Sequence, residues 1–141
     1  MAEGLCRDAL HRRGVSDAFE VHSAGTAAYH LGALPDPRTA ALLRGRDIVV
    51  TSRARQVEAR DFEDFDHILA MDSSNLRVLR RRCPPRLHHK VKLVLDTTGG
   101  GDVIDPYYGG PSGFERNASQ LDEALARWID RWLTERGSSP A

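Results

Sequence analysis

A carboxylic acid, two phenol rings and two glycines stand together in Asp105-Pro106-Tyr107-Tyr108-Gly109-Gly110. Pro106 biases Asp105 toward an extended backbone and so holds its carboxyl out from the chain. Tyr107 and Tyr108 offer flat walls to an aromatic group, and the glycines turn the chain at no steric cost. The combination suits cleavage of a phosphate ester of a phenol. The departing phenolate has a conjugate acid of pKa about 10, so a proton delivered as the bond breaks lowers the barrier. The same residues also read as an Asp-Pro turn with two packed tyrosines.

Two further stretches could border such a site. Ser23-Ala24-Gly25-Thr26 follows an alternating run, and small residues at the carboxyl end of a strand permit close backbone approach at the edge where α/β sheets bind ligands. Taken alone, it is first an ordinary strand-to-loop turn. Ala70–Asn75 (AMDSSN) occupies the same place on a later strand, with Asp72 read as a helix N-cap. A nucleophile is harder to find. Cys6 and Arg12 satisfy C-x5-R in CRDALHR, but a phosphate cradle needs successive N–H groups converging at a strand-to-helix junction. Here the intervening residues continue a helical pattern, whose N–H groups are taken by i−4 carbonyls. Cys6 therefore reads as a small buried apolar residue, and Cys83, before two prolines, is given no role.

The elements that must position these residues follow from periodicity. Ala2, Leu5, Ala9 and Leu10 share one face of a helix over 1–13, with Gly14 as its C-terminal cap. Residues 19–23 (FEVHS) alternate as a strand. A helix over 35–47 has Asp36 as N-cap and Pro37 at its first position. A strand over 66–71 leads into a helix over 72–83, stopped by Pro84 and Pro85. A strand over 90–95 precedes the Gly- and Pro-rich loop 97–114. Phe114, Ala118, Leu121, Leu125, Trp128, Ile129 and Trp132 then mark the last helix. The domain is read as 1–136, with 137–141 as a flexible tail. Strands separated by helices imply an α/β fold, a parallel sheet with helices on both faces. The chain opens on a helix, however, so its first βα unit is half present.

VHSAGT (21–26), LPDPRTAALLRGRDI (34–48), SRARQV (52–57), DFEDFDHILAMDSSNL (61–76) and DVIDPYYGGPSGFE (102–115) occur in an order and spacing that resemble the low-molecular-weight protein tyrosine phosphatases. The resemblance runs from Met1 to about Leu133. It implies a three-layer fold around a four-stranded parallel sheet of order 2-1-3-4, and hydrolysis of phosphotyrosine through a phosphocysteine. It makes Asp105 the general acid and then the base that activates water. Tyr107 and Tyr108 would flank the substrate ring, Tyr29 would sit on the pocket rim, and Ser23 would steady the phosphate loop. In the family the nucleophile lies in a C-x5-R-[ST]-P loop between the first strand and the first helix, followed at once by a segment like MAEGL. The expectation is thus an N-terminally truncated chain, started at an internal methionine and inactive by itself. It lacks the thiolate, the phosphate-binding Arg and the central strand. Removing a middle strand leaves a gap of about 10 Å and unpaired backbone groups at about 1–3 kcal/mol each. The first helix would also begin without a side-chain cap.

Other readings stay open: a non-catalytic binding module that kept the acid loop, phosphoarginine hydrolysis, or arsenate reduction, for which no further redox cysteines are present. Composition bounds the rest. The formal net charge is zero, so neither nucleic acid nor a membrane surface is an expected partner; the partner implied is a phosphotyrosine-containing protein or peptide. Only two cysteines occur, which favours a reducing cytoplasm. No apolar run reaches membrane-spanning length, and no secretory signal is visible. The histidines are dispersed, with no metal or cofactor implied. The basic run 77–92 and the acidic run 58–66 are read as solvated surface, with Phe62 and Phe65 turned inward. Oligomeric state is left open.

Overall fold

The computed structural model describes residues 1–26, 37–48, 55–103 and 112–137. Its elements are α1 (Ala2–Arg12), α2 (Pro37–Arg44), α3 (Ala59–Asp64), β1 (Ile68–Ala70), α4 (Ser73–Arg82), β2 (Val91–Leu93) and α5 (Gly113–Gly137), with short 3₁₀ turns at Ser16–Ala18, Pro85–Lys90 and Val94–Thr98. β1 and β2 pair in parallel, Ile68 opposite Val91 and Ala70 opposite Leu93. Successive side chains of β1 leave by opposite faces, and each face meets its own core. Leu69 and Met71 join Leu5, Leu10, Leu43, Leu121, Trp128 and Ile129, from α1, α2 and α5. Ile68 and Ala70 join Phe62, Leu79, Leu87 and Val91, under α3 and α4. The parallel sheet thus lies between two helical layers, as the alternation of strands and helices implied. Of the four strands expected, the described residues form this one pair.

Most helices end where their sequences say. Gly14 takes φ +69°, and Val15 N donates to Leu10 O at 3.1 Å, closing α1 through a left-handed residue. No side chain caps the start of α1, as expected, and burial lowers the pKa of the Met1 α-ammonium against a smaller opposing pull from Glu3. Asp72 caps α4, its Oδ1 accepting from Asn75 N at 2.7 Å. α2 begins at Pro37; its expected cap Asp36 lies outside the described residues, as do 138–141 of the expected tail.

Three expectations need correction. Residues 19–23 form no strand. Phe19 and Val21 do turn into the core, but alternation fixes only the face, and a strand also needs a bonded neighbour. The run 90–95 gives up its last residues to a 3₁₀ turn because Trp128 Nε1 donates to Val94 O at 2.7 Å and Asp96 Oδ2 accepts from Leu93 N at 3.2 Å. The acidic run 58–66 contains a helix, α3, opened by Glu58 N donating to Asp61 Oδ2 at 2.7 Å. Phe62 is buried, while half-buried Phe65 meets the His22 ring edge-on at 5.2 Å.

Candidate active site

Three chain segments converge at the carboxyl end of β1. Met71 O accepts from Val103 N at 2.9 Å. One residue before Val103, Asp102 Oδ1 accepts from both Ser73 N (2.8 Å) and Ser73 Oγ (2.7 Å). Those bonds, the hydroxyl first, hold its carboxyl below the usual range. The third segment, Ser23–Thr26, is tied on either side. Thr26 Oγ1 donates to Asn75 Oδ1 at 3.2 Å and Arg82 donates to Thr26 O at 3.0 Å. Gly25 N donates to Arg55 O at 2.7 Å, and Gly25 O accepts from Val57 N at 2.9 Å, a single parallel bridge.

Ser23, expected to steady a phosphate loop, donates its hydroxyl to Glu3 Oε1 at 2.9 Å. Glu3 is buried in the first turn of α1, 3.7 Å from the Arg7 guanidinium, which also donates to Val21 O. Ser23 therefore anchors the turn to the amino end of α1. Asp105, Tyr107, Tyr108 and Tyr29 lie outside the described residues; the anchor at Val103 stands two residues before Asp105.

The structure disposes of the C-x5-R pattern. Cys6 lies in the middle of α1, buried, and burial pushes its thiol up to about 11 despite the neighbouring Arg7. Arg12 turns to Asp8 at 2.8 Å. Cys83 is likewise buried, its thiol pKa raised by desolvation, with Sγ 3.5 Å from Pro84 O. Neither sulfur is presented to the convergence of Ser23–Thr26, Met71–Asn75 and Asp102–Val103. Among the described residues no group of three His, Cys, Asp or Glu could hold a metal ion, and no helix is long and apolar enough to cross a membrane.

Sequence reasoning missed Glu3, Asn75, Asp102 and the Arg55–Asp61 pair. Asp61 takes Arg55 Nη1 and Nη2 at 2.9 and 3.2 Å, fixing the residue whose carbonyl holds Gly25. Periodicity carries no sign of partners so far apart in sequence.

The whole convergence lies within residues 1–138, which match the family model described as low molecular weight phosphotyrosine protein phosphatase. This chain belongs to that family. It is 42% identical over 118 residues to the low molecular weight phosphotyrosine protein phosphatase of Schizosaccharomyces pombe, covering 81% of this chain and 76% of that relative. Among solved structures, protein tyrosine phosphatase from Entamoeba histolytica matches with a TM-score of 0.89 and 33% identity, over 96% of this chain and 88% of its own. Drosophila arginine phosphatase matches with a TM-score of 0.83 and 29% identity, over 93% and 87%. The family match runs over nearly the whole chain and lends no support to the expected truncation.

Proposed function

We propose that this phosphatase domain serves phosphotyrosine hydrolysis, with Asp105 donating the proton. A thiolate attacks phosphorus, the phosphorus–oxygen bond to the ring breaks, and the leaving phenolate oxygen takes the Asp105 proton. Asp105, now a carboxylate, takes a proton from the water that attacks the phosphocysteine, which frees inorganic phosphate and the thiolate. Tyr107 and Tyr108 flank the substrate ring, Tyr29 borders the pocket, and the Ser23 turn supports the phosphate loop from the side of α1. One observation carries this reading: Val103 is bonded to Met71 at the carboxyl end of β1, where ligands of α/β sheets bind, with Asp105 two residues further on.

Neither sulfur of the sequence suits the nucleophilic role. A thiol raised to about 11 inside a helix gives almost no thiolate at neutral pH. On this reading the 141 residues by themselves turn over no aryl phosphate, and the thiolate that the reaction needs is one held in a C-x5-R-[ST]-P loop of the kind the resemblance implies. The two buried free cysteines suit a reducing compartment, the cytoplasm. The test compares para-nitrophenyl phosphate turnover by this chain with that of a chain extended by a relative's strand and C-x5-R-[ST]-P loop. The extended chain turns over, and Asp105→Asn lowers its kcat by about 10²–10⁴. Turnover by the unextended chain that Cys6→Ser abolishes refutes the assignment of the sulfurs. An extended chain indifferent to Asp105→Asn refutes the acid.

The resemblance to Drosophila arginine phosphatase favours phosphoarginine as a second reading. The leaving group is then a guanidine nitrogen, and kcat/KM of the extended chain on phosphoarginine against phosphotyrosine separates the two.

A further inference from the structure

Arg12, Arg13 and Arg46 each answer a carboxylate of the chain itself, Asp8, Asp130 and Asp122. α4 breaks this habit. Its Arg77, Arg80 and Arg81 are exposed, and among the described residues none of the three has a carboxylate within ion-pair distance. Further along the basic run the chain uses its own cations: Arg82 donates to Thr26 O at 3.0 Å, Arg86 pairs with Glu63, and Lys90 Nζ donates to Phe62 O at 3.0 Å. Arg77, Arg80 and Arg81 stand three and four residues apart, so they share the face of α4 opposite buried Leu79. Like charges so placed destabilise a helix. The helix dipole favours cations in the last turn, which accounts for Arg80 and Arg81. Arg77 lies in the middle of the helix, beyond its reach.

The row leads away from the candidate active site. α4 opens at Ser73, whose N–H and hydroxyl hold Asp102, and the Arg77 charge adds to those bonds in lowering the Asp102 pKa. Asp102 stands three residues before Asp105. Arg77 and Arg81 are about 6 Å apart along the helix axis, and residues two apart in an extended peptide are about 6.6 Å apart. A peptide passing over α4 can therefore set a carboxylate against each. The face itself selects a peptide. α4 carries no aromatic ring on which a nucleic-acid base would stack. Its apolar side chains, Leu76, Val78 and Leu79, are half-buried or buried, so none is left to enter a bilayer. The chain has zero formal net charge, so its attraction for an anion is local to this row.

We infer that α4 is a docking face for acidic residues flanking the phosphotyrosine of the substrate. Carboxylates at alternate positions of the peptide meet Arg77 and Arg81, with Arg80 beside them. The inference rests on the phosphotyrosine reading for the molecule that carries the acids; the row of unanswered charge stands without it.

The test titrates the full chain with the unphosphorylated peptide acetyl-Tyr-Ser-Glu-Ser-Glu-Ser-Glu-amide at low salt, followed by backbone amide ¹H–¹⁵N shifts. No phosphate chemistry enters it. Its failure leaves Asp105 as the acid, and an inactive extended chain leaves the docking face. The shifts saturate and centre on Ser73–Arg81, added salt weakens binding, and the peptide with glutamine at each acidic position does not bind. Arg77→Gln with Arg81→Gln weakens binding about 5- to 20-fold. Arg12→Gln with Arg127→Gln removes the same charge from guanidinium groups already paired with Asp8 and Glu123, and leaves binding within about 2-fold. Equal loss in the two double variants overturns the proposal, as do shifts centred elsewhere or no binding at all. Tighter binding at α4 of a thymidine oligonucleotide of equal charge, or of phosphatidylserine vesicles, overturns it too, since the row then serves phosphates.

Discussion

Removing the Asp61 carboxylate tests how the Ser23–Thr26 turn is held. Asp61 accepts from Arg55 Nη1, Arg55 Nη2 and Glu58 N, and its side chain is 10% exposed against 36% for Arg55. In Asp61→Ala the guanidinium can turn to water, so the ion pair itself accounts for about 1 kcal/mol. The Glu58 amide loses its acceptor at the start of α3, for about 1–3 kcal/mol. The sum is about 3 kcal/mol, a large part of a typical stability of about 5–15 kcal/mol. With a urea m-value of about 2 kcal/mol/M, the midpoint at pH 7 falls by about 1.5 M. Asp61→Asn keeps an oxygen for Glu58 N and loses about 1 kcal/mol. Because Arg55 O holds Gly25 N, amide exchange at Gly25 accelerates in the alanine variant. The pH dependence has a definite sign. Burial drives the Asp61 pKa up, but the Arg55 and Glu58 hydrogen bonds outweigh it and leave it below its ordinary value. A depressed folded-state pKa stabilises above the unfolded value of about 3.9 and ceases to as pH falls through the folded one. The gap between the wild type and Asp61→Ala is therefore constant from pH 7 to 5 and narrows below about 4 by about the 1 kcal/mol that the charge contributes, since a protonated Asp61 still accepts from Glu58 N. A midpoint shift under about 0.3 M, or a gap of the same size at pH 2 as at pH 7, refutes the reasoning.

With its thiol at about 11, Cys6 is about one part in a thousand thiolate at pH 8. Alkylation by iodoacetamide should be at least about 100-fold slower in the native chain than in urea, and a fast native reaction contradicts the burial argument. Trp128→Phe keeps most of the ring but leaves the Val94 carbonyl, which now takes the indole N–H at 2.7 Å, without its partner. The cost is about 1–3 kcal/mol, read by calorimetry as a melting temperature lower by about 4–10 °C; an unchanged melting temperature shows that the bond contributes nothing net.

Elements whose information is local were legible in the sequence. α1, α4 and α5 carry apolar residues at helical spacing, and Asp72 and Gly14 act within a few residues of themselves. α3 was hidden because its six residues hold one buried aromatic among charges, and its opening bond uses Asp61, which in sequence is one more surface acid. The 3₁₀ turn after β2 was hidden for another reason: Val94 and Leu95 have strand-forming side chains, and the contact with Trp128 that draws Val94 off the ladder lies 34 residues away. At the site, Asp105, Tyr107 and Tyr108 were legible as chemistry because their types and adjacency are the signal. Glu3, Asn75 and Asp102 were not, since each matters through a partner 20, 49 or 29 residues distant.

Residues 19–23 separate the two kinds of information. Phe19 and Val21 reach the core that their alternation predicts, so the apolar pattern has acted, and without any ladder. Burial of alternate side chains is a property of one segment against a helical layer; a strand is a property of two segments. The hydrogen bonds that a neighbour would supply are partly met by substitutes: the Arg7 guanidinium on Val21 O and the single bridge at Gly25. One ends at Val21, two residues before Ser23, and the other at Gly25 within the turn, and both depend on charged side chains, since Arg55, whose carbonyl holds Gly25, is itself held by Asp61. In this chain, then, ion pairs near the surface set the position of one wall of the candidate active site, where a complete ladder would have set it through the backbone.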